Sequence, residues 1–214
     1  MKEIMDAPLY NENLPRDRYT SDDYNNRARW MSYFYQMRLI TETKCESALE
    51  VGTGPGWMAR ILKENNLAVT TVDINPALNP DYVADVNHLP FEESSFDVVC
   101  AFEVLEHMPF ETLSQNLSEM ARVARKRVII SLPDQRRTFI NASLKLPFLP
   151  SISLFIKVPT FKKHQLGGRH YWEIGMRDYS LSRIKQEIEK TGLQIQKTFV
   201  PADSPMNHYF VMKK

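Results

Sequence analysis

Glu50, Asp73, Asp85, Glu103 and His107 fall at intervals along the first half of the chain, each at or just after the end of an apolar run. Between the first two lies "VGTGPGW", with Gly52, Gly54 and Gly56 at alternate positions. Glycines permit positive φ and let a ligand approach the main chain closely. An acid about 20 residues past such a loop, closing the next strand, can accept from both hydroxyls of a ribose, and Asp73 stands there. A dinucleotide loop would want a small residue three after Gly54, where Trp57 stands instead. Pro55 also removes an amide that a pyrophosphate would use. The set therefore suits a ligand with a ribose and no phosphate. Asp85 suits an exocyclic amine such as N6 of adenine, and Glu50 suits an ammonium group. A nucleotide-cofactor oxidoreductase is the alternative, disfavoured by Trp57 and Pro55.

Those residues need elements to hold them. Tyr24, Ala28, Met31, Tyr35 and Leu39 recur at helical spacing, predicting a helix from Ser21 to about Thr41 with Ser21 or Asp22 as its N-cap. "CESALEV", "LAVTTVD", "DYVADV", "SFDVVCAFEV" and "RVIISLP" read as strands. Helices are expected at "WMARILKEN", over Glu111 to Ala124, and around Leu181, Ile184 and Ile188 up to Gly192. "LQIQKTFV" and "NHYFVMK" read as two closing strands. This alternation predicts an α/β fold: a parallel sheet with helices on both faces. Right-handed crossovers place the strand C-termini on one edge, and ligands bind where strand order reverses.

"LEVGTGPG", "VDINP", "ADVNHLPFEESSFDVVCAFEVLEHM" and "ARKRVIISLP" resemble class I S-adenosylmethionine-dependent methyltransferases, above all the small-molecule branch called methyltransferase type 11. The resemblance runs from Ala48 to Pro133. It implies one Rossmann-like domain over residues 1–214, with seven mostly parallel strands and the last one antiparallel. It also implies S-adenosylmethionine as cofactor and S-adenosylhomocysteine as product. Glu50, Gly52, Thr53, Gly54 and Gly56 would then lie along the methionine part, with Thr53 in place of a commoner cysteine. Asp73 and Ile74 would hold the ribose, Asp85 and Val86 would face the adenine, and Phe102 and Glu103 would line the wall near the sulfonium.

Methyl transfer needs a positioned acceptor, and an amine or hydroxyl acceptor must also lose a proton. His107 and His170 suit that proton, with Glu173 beside His170 in "GGRHYWEIG". No His, Cys, Asp or Glu grouping has metal-ligand spacing along the chain, so no metal is expected. Residues 134–177 carry eight Lys or Arg against Asp134 and Glu173. In the family an insertion here covers the acceptor. It is read as a lid, hinged at Gly167 and Gly168, with Arg136, Arg169 and Trp172 as substrate contacts. Residues 1–44 are read as a second lid, with Tyr19 reaching the site and Arg29 and Trp30 near it. The positive charge predicts a small, anionic acceptor bearing phosphate or carboxylate. "HYWEIG" resembles a phrase of bacterial methyltransferases of surface-glycan or capsule modification. A lipid or quinone-like acceptor at a membrane surface, and a non-catalytic cofactor-binding module, are the other readings.

Composition narrows the classes. A net charge of +1 and the absence of an asparagine–proline–proline–tyrosine-like motif after the fourth strand speak against nucleic acid. Apolar stretches break well before the roughly 18 residues of a membrane helix. The polar N-terminus lacks a signal sequence, and Cys45 and Cys100 read as two reduced thiols, so a cytoplasmic protein is expected. The sequence points to no particular oligomeric state.

Overall fold

Buried β-branched runs build the centre of the fold. In this computed structural model, which describes Tyr19, Ser21, residues 24–145, Phe148, and residues 152–160 and 170–214, five strands run parallel: β1 (Ser47–Val51), β2 (Ala68–Asp73), β3 (Tyr82–Val83), β4 (Phe96–Phe102) and β5 (Ala124–Pro133). β8 (Gln194–Phe199) and β9 (Asn207–Lys213) complete a seven-stranded sheet of order β3-β2-β1-β4-β5-β9-β8. β9 lies antiparallel between β5 and β8, so the last strand is the antiparallel one. Leu49, Val98, Val99, Cys100, Val128, Ile129 and Ile130 are fully buried, as strands covered on both faces require. Strand order reverses between β1 and β4, which opens the ligand-binding crevice at their C-terminal ends.

The helices depart from the sequence reading in instructive ways. α1 (Arg27–Thr41) starts later than expected, because Asn26 caps it by accepting from the Arg29 amide at 3.1 Å. Its buried face is Ser32, Tyr33, Gln36, Leu39 and Ile40. Only Leu39 belongs to the apolar stripe the spacing implied. Ser32 is drawn inward by Tyr209, whose hydroxyl lies 3.0 Å from Ser32 Oγ, and the Gln36 amide donates to the same Oγ at 2.9 Å. α2 (Trp57–Glu64) and α3 (Leu113–Val123) sit where their spacing placed them, α3 after a 3-10 turn at Phe110–Thr112. Leu113, Leu117, Met120 and Ala121 pack α3 onto the sheet.

After β5, the sequence reading has a basic segment read as a lid. The structure instead forms a second, two-stranded sheet, β6 (Arg137–Leu144) and β7 (Ile152–Val158), paired antiparallel. Pro159 follows β7, so it does not interrupt the ladder. α4 (Leu181–Lys190) then buries Ile184 and Ile188. No helix among the described residues is long and apolar enough to cross a membrane. The expectations for Arg169, for the Gly167–Gly168 hinge and for an Asp22 cap lie outside the described residues.

Candidate active site

The turn after β1 gives Gly52, Gly54 and Gly56 φ values of +79°, +52° and +75°. Gly52 donates its amide to Val72 O at 2.8 Å, locking the turn to β2, and Gly56 starts α2 in the left-handed conformation. Beside this turn lies a cleft of about 270 Å³. Glu50, Gly52, Thr53, Gly54, Asp73, Ile74, Asp85, Val86, Phe102, Glu103, His107, His170 and Tyr19 all line it. Gly56, Arg136, Trp172 and Glu173 do not.

One end of the cleft is a cradle of carboxylates. Asp73 closes β2 and accepts from the Asn75 amide at 2.9 Å and the Gly54 amide at 3.4 Å. Burial outweighs those bonds and raises its pKa. Glu50 is buried, and its Oε2 has no hydrogen-bond partner among the described residues. Burial, then the charge of Asp73, pushes its carboxyl up to about 8. The Thr53 hydroxyl is likewise buried without a partner. A buried polar group left unmade is costly, so these two orphans fit a ligand carrying an ammonium and a carboxylate. Asp85 accepts from the Asn87 amide at 3.1 Å, and Val86 is buried next to it. Glu103, at φ +56°, takes a hydrogen bond from Ser131 Oγ at 2.8 Å, and burial raises its pKa against that bond.

The other end is built by two segments far apart in sequence. Glu106 and His107 sit on a 3-10 turn at Leu105–His107 after β4. His170 comes back from beyond the hairpin, pinned where the Tyr171 amide donates to Glu106 O at 2.8 Å and Trp172 Nε1 donates to Met108 O at 3.0 Å. The two imidazoles meet edge to face, centroids 4.8 Å apart. His170 Nδ1 donates to Glu173 Oε1 at 2.7 Å. Glu106 is fully buried, and burial with the neighbouring Glu103 charge raises its pKa far above the ordinary value.

Two expected substrate contacts are structural instead. Trp172 is fully buried against Phe110 and Tyr179 in the core, because its indole ring is the anchor that pins His170. Arg136 is turned away onto Asp134, 2.6 Å from Oδ2, since a buried carboxylate demands a counter-charge. Glu173 stands behind His170, outside the cleft wall. Trp30 packs edge-on against Trp57 at 5.1 Å, away from the cleft, whereas Arg29 lines it, its guanidinium 4.5 Å over Tyr24. The sequence reading missed Tyr24, Tyr33, Gln36 and Glu106. A signal existed for the helix pair: Arg29, Tyr33 and Gln36 are spaced four and three apart, one face of α1.

Residues 49–132 match the protein family described as methyltransferase domain. Among solved structures, the N-methyltransferase NodS of Bradyrhizobium japonicum WM9, in complex with S-adenosyl-L-homocysteine, is similar with a TM-score of 0.62 at 11% identity, over 97% of this chain and 98% of that one. The magnesium protoporphyrin IX methyltransferase of Synechocystis PCC 6803 gives 0.64 at 15%, over 92% of each chain. The 1,6-didemethyltoxoflavin-N1-methyltransferase of Burkholderia thailandensis gives 0.58 at 13%, over 93% of this chain and 86% of that one. At such identities the likeness speaks to the fold.

Proposed function

We propose that this chain, whose residues 49–132 match the family described as methyltransferase domain, is an S-adenosylmethionine-dependent methyltransferase acting on a small-molecule acceptor. The observation that carries the reading is the buried, unpartnered Oε2 of Glu50 set beside Asp73 across the glycine turn. S-adenosylmethionine, when bound, supplies a methyl group on an electrophilic sulfonium. Glu50 and Thr53 would receive its amino-acid end, Asp73 and Ile74 its ribose, and Asp85 and Val86 its adenine. Phe102 and Glu103 would wall the reacting centre. Desolvation favours the protonated Glu50 of the free protein, and a cationic partner would restore its charge.

His107 and His170 act as the catalytic residues at the acceptor end, handling the acceptor's proton, and Glu173 positions His170. Tyr19 lines the cleft beside Gly54. An anionic group on the acceptor would meet Arg29, the only Lys or Arg lining the cleft among the described residues. That reading no longer draws on Arg136, which Asp134 neutralises.

Asp73→Ala tests the cofactor assignment. The variant should bind S-adenosylhomocysteine more weakly by roughly 1–3 kcal/mol, the worth of hydrogen bonds to a charged group. Calorimetric titration measures it, and unchanged affinity would remove Asp73 from the site.

A second reading, an acceptor presented at an anionic lipid surface, is favoured by the hairpin. Strand pairing puts Ile140, Ala142, Leu144, Leu154 and Ile156 on one face. Leu144 and Leu154 are about half exposed, and Phe139 beside them is 71% exposed. A two-stranded ribbon seldom leaves such a face bare in water. Exposed Arg137 and Lys145 flank it. Wild type should then co-sediment with phosphatidylglycerol vesicles more than with phosphatidylcholine vesicles, and Phe139→Ser with Leu154→Ser should lose several-fold of that binding. Equal, negligible binding to both vesicle types eliminates this reading.

A further inference from the structure

The cofactor reading leaves the buried carboxylate of Glu106 unexplained. It is fully buried, and neither oxygen has a hydrogen-bond partner among the described residues. The main chain around it is tied down, so the orphan is not a consequence of a loose segment. Its surroundings are two imidazoles. His107 is its chain neighbour on the 3-10 turn, and His170 Nε2 stands 4.0 Å from Glu106 Oε1. One ligand atom from each of the three residues falls within 4.8 Å of the others.

We propose that Glu106, His107 and His170 form a binding site for a divalent transition-metal ion. The inference rests on the reading of this end of the cleft as the acceptor end and changes the role of its imidazoles: with the ion bound they are ligands, and the acceptor's proton leaves to water instead of to them. Three features favour coordination over a plain hydrogen-bond cluster. First, 4.0 Å is too long for a hydrogen bond. It is close to what two ligands of one ion need, since bonds of about 2.0–2.2 Å set tetrahedral ligand atoms about 3.4 Å apart. A modest rotation of the partly exposed His170 ring closes the gap. Second, Glu173 takes the Nδ1 proton of His170 at 2.7 Å. That selects the tautomer with its lone pair on Nε2, the atom facing Glu106. A carboxylate behind a ligating histidine is the usual supporting arrangement of a metal site, and Gln135 Nε2 holds that same Glu173 oxygen at 3.4 Å. Third, two imidazoles and one carboxylate leave further coordination positions open, as in non-haem iron(II) and catalytic zinc sites. His107 and His170 both line the cleft, so those positions are open to an acceptor.

The chain itself hid this set. His170 lies beyond the hairpin, so local spacing shows no metal motif, and only the fold brings the three together. The acceptor class follows from the ion. A hydroxyl oxygen taking an open position would release its proton to water more readily, because a divalent charge lowers the pKa of bound oxygens. An alcohol or phenol acceptor is thereby favoured over an amine.

Cobalt(II) titration of the full chain tests the site. Wild type should bind one ion with visible ligand-field absorption, and zinc(II) should displace it. His170→Ala and Glu106→Gln should each abolish the bands. Glu173→Gln, which leaves all three ligands in place, should weaken binding about 10–100-fold. S-adenosylhomocysteine affinity is measured on the same samples. Bands that persist in His170→Ala, or no saturable binding by wild type, overturn the metal site. If cobalt(II) binds as described but S-adenosylhomocysteine does not, the metal site stands and the cofactor reading falls.

Discussion

Asp134→Ala is expected to cost about 3–5 kcal/mol of folding stability, because it strands buried positive charge. Asp134 is fully buried at the end of β5. Its oxygens face Arg136 at 2.6 Å, Lys157 at 3.1 Å and His208 at 3.2 Å. Lys157 is almost as deeply buried and also donates to Pro205 O at 2.6 Å. These contacts join the foot of the hairpin to β5 and to the turn before β9. Burial alone would raise the Asp134 carboxyl. The hydrogen bonds from His208 and Arg136 and the charge of Lys157 outweigh it and hold the carboxyl far below the usual carboxylate range. A depressed pKa gives stability that is fully present above the unfolded value, about 3.9, and is lost as pH falls through the folded one. The gap between wild type and variant should therefore be widest at neutral pH and shrink below about pH 4. At this chain length it corresponds to a Tm lower by roughly 6–20 °C. Lys157→Met leaves Asp134 its Arg136 partner and should cost less. Denaturant titrations across pH measure all three proteins. A loss under about 1 kcal/mol, or a gap that does not change with pH, would show that the network is solvated rather than buried.

Loosening that network should also reach the site. The Ile174 amide donates to Pro133 O, and the Gln135 amide donates to Ile174 O. The segment bearing His170 and Glu173 thus hangs from the end of β5 that Asp134 anchors.

The legible part of this molecule is the part that topology dictates. Glu50, Asp73, Asp85, Glu103 and His107 lie along one cleft because crossovers put each strand's C-terminal end on one edge, so position after a strand is already position in space. The parallel sheet was legible for the same reason, whereas its antiparallel last strand was implied only by the family resemblance. What was not legible depends on contacts distant in sequence. The buried face of α1 is polar, since Tyr209 on β9 and the cleft choose Ser32 and Gln36, so apolar spacing pointed about one residue astray. Trp172 and Arg136 read as ligands by type, yet Trp172 became a core anchor and Arg136 a counter-ion once Met108 and Asp134 were near. The hairpin was hidden because its apolar residues alternate against no core face of their own.

Gly52→Ala tests how tightly the glycine turn after β1 is built against the segment after β4. Gly52 sits at φ +79°, where an alanine costs about 1–2 kcal/mol. A Cβ there would also collide with Cγ2 of Val104. Val104 cannot simply retreat, because it is flanked by Glu103 at φ +56° and by the turn holding Glu106 and His107. Overpacking of this kind adds about 1–3 kcal/mol, so the variant should lose about 2–5 kcal/mol in urea titration. It should also bind S-adenosylhomocysteine more weakly, since the turn must shift to relieve the clash. Gly54 makes the contrast. Among the described residues its Cβ would meet nothing nearer than Tyr19 Cε1 at 3.8 Å, so Gly54→Ala should cost only the backbone strain. The decisive comparison is Gly52→Ala with Val104→Ala. Removing the Val104 methyls abolishes the collision and leaves the φ cost, so the double variant should be more stable than the sum of the two losses by about 1–3 kcal/mol. Strict additivity would mean that the two segments do not press on each other. The glycine would then be required by φ alone, and the glycine turn and the segment after β4 would be mechanically independent.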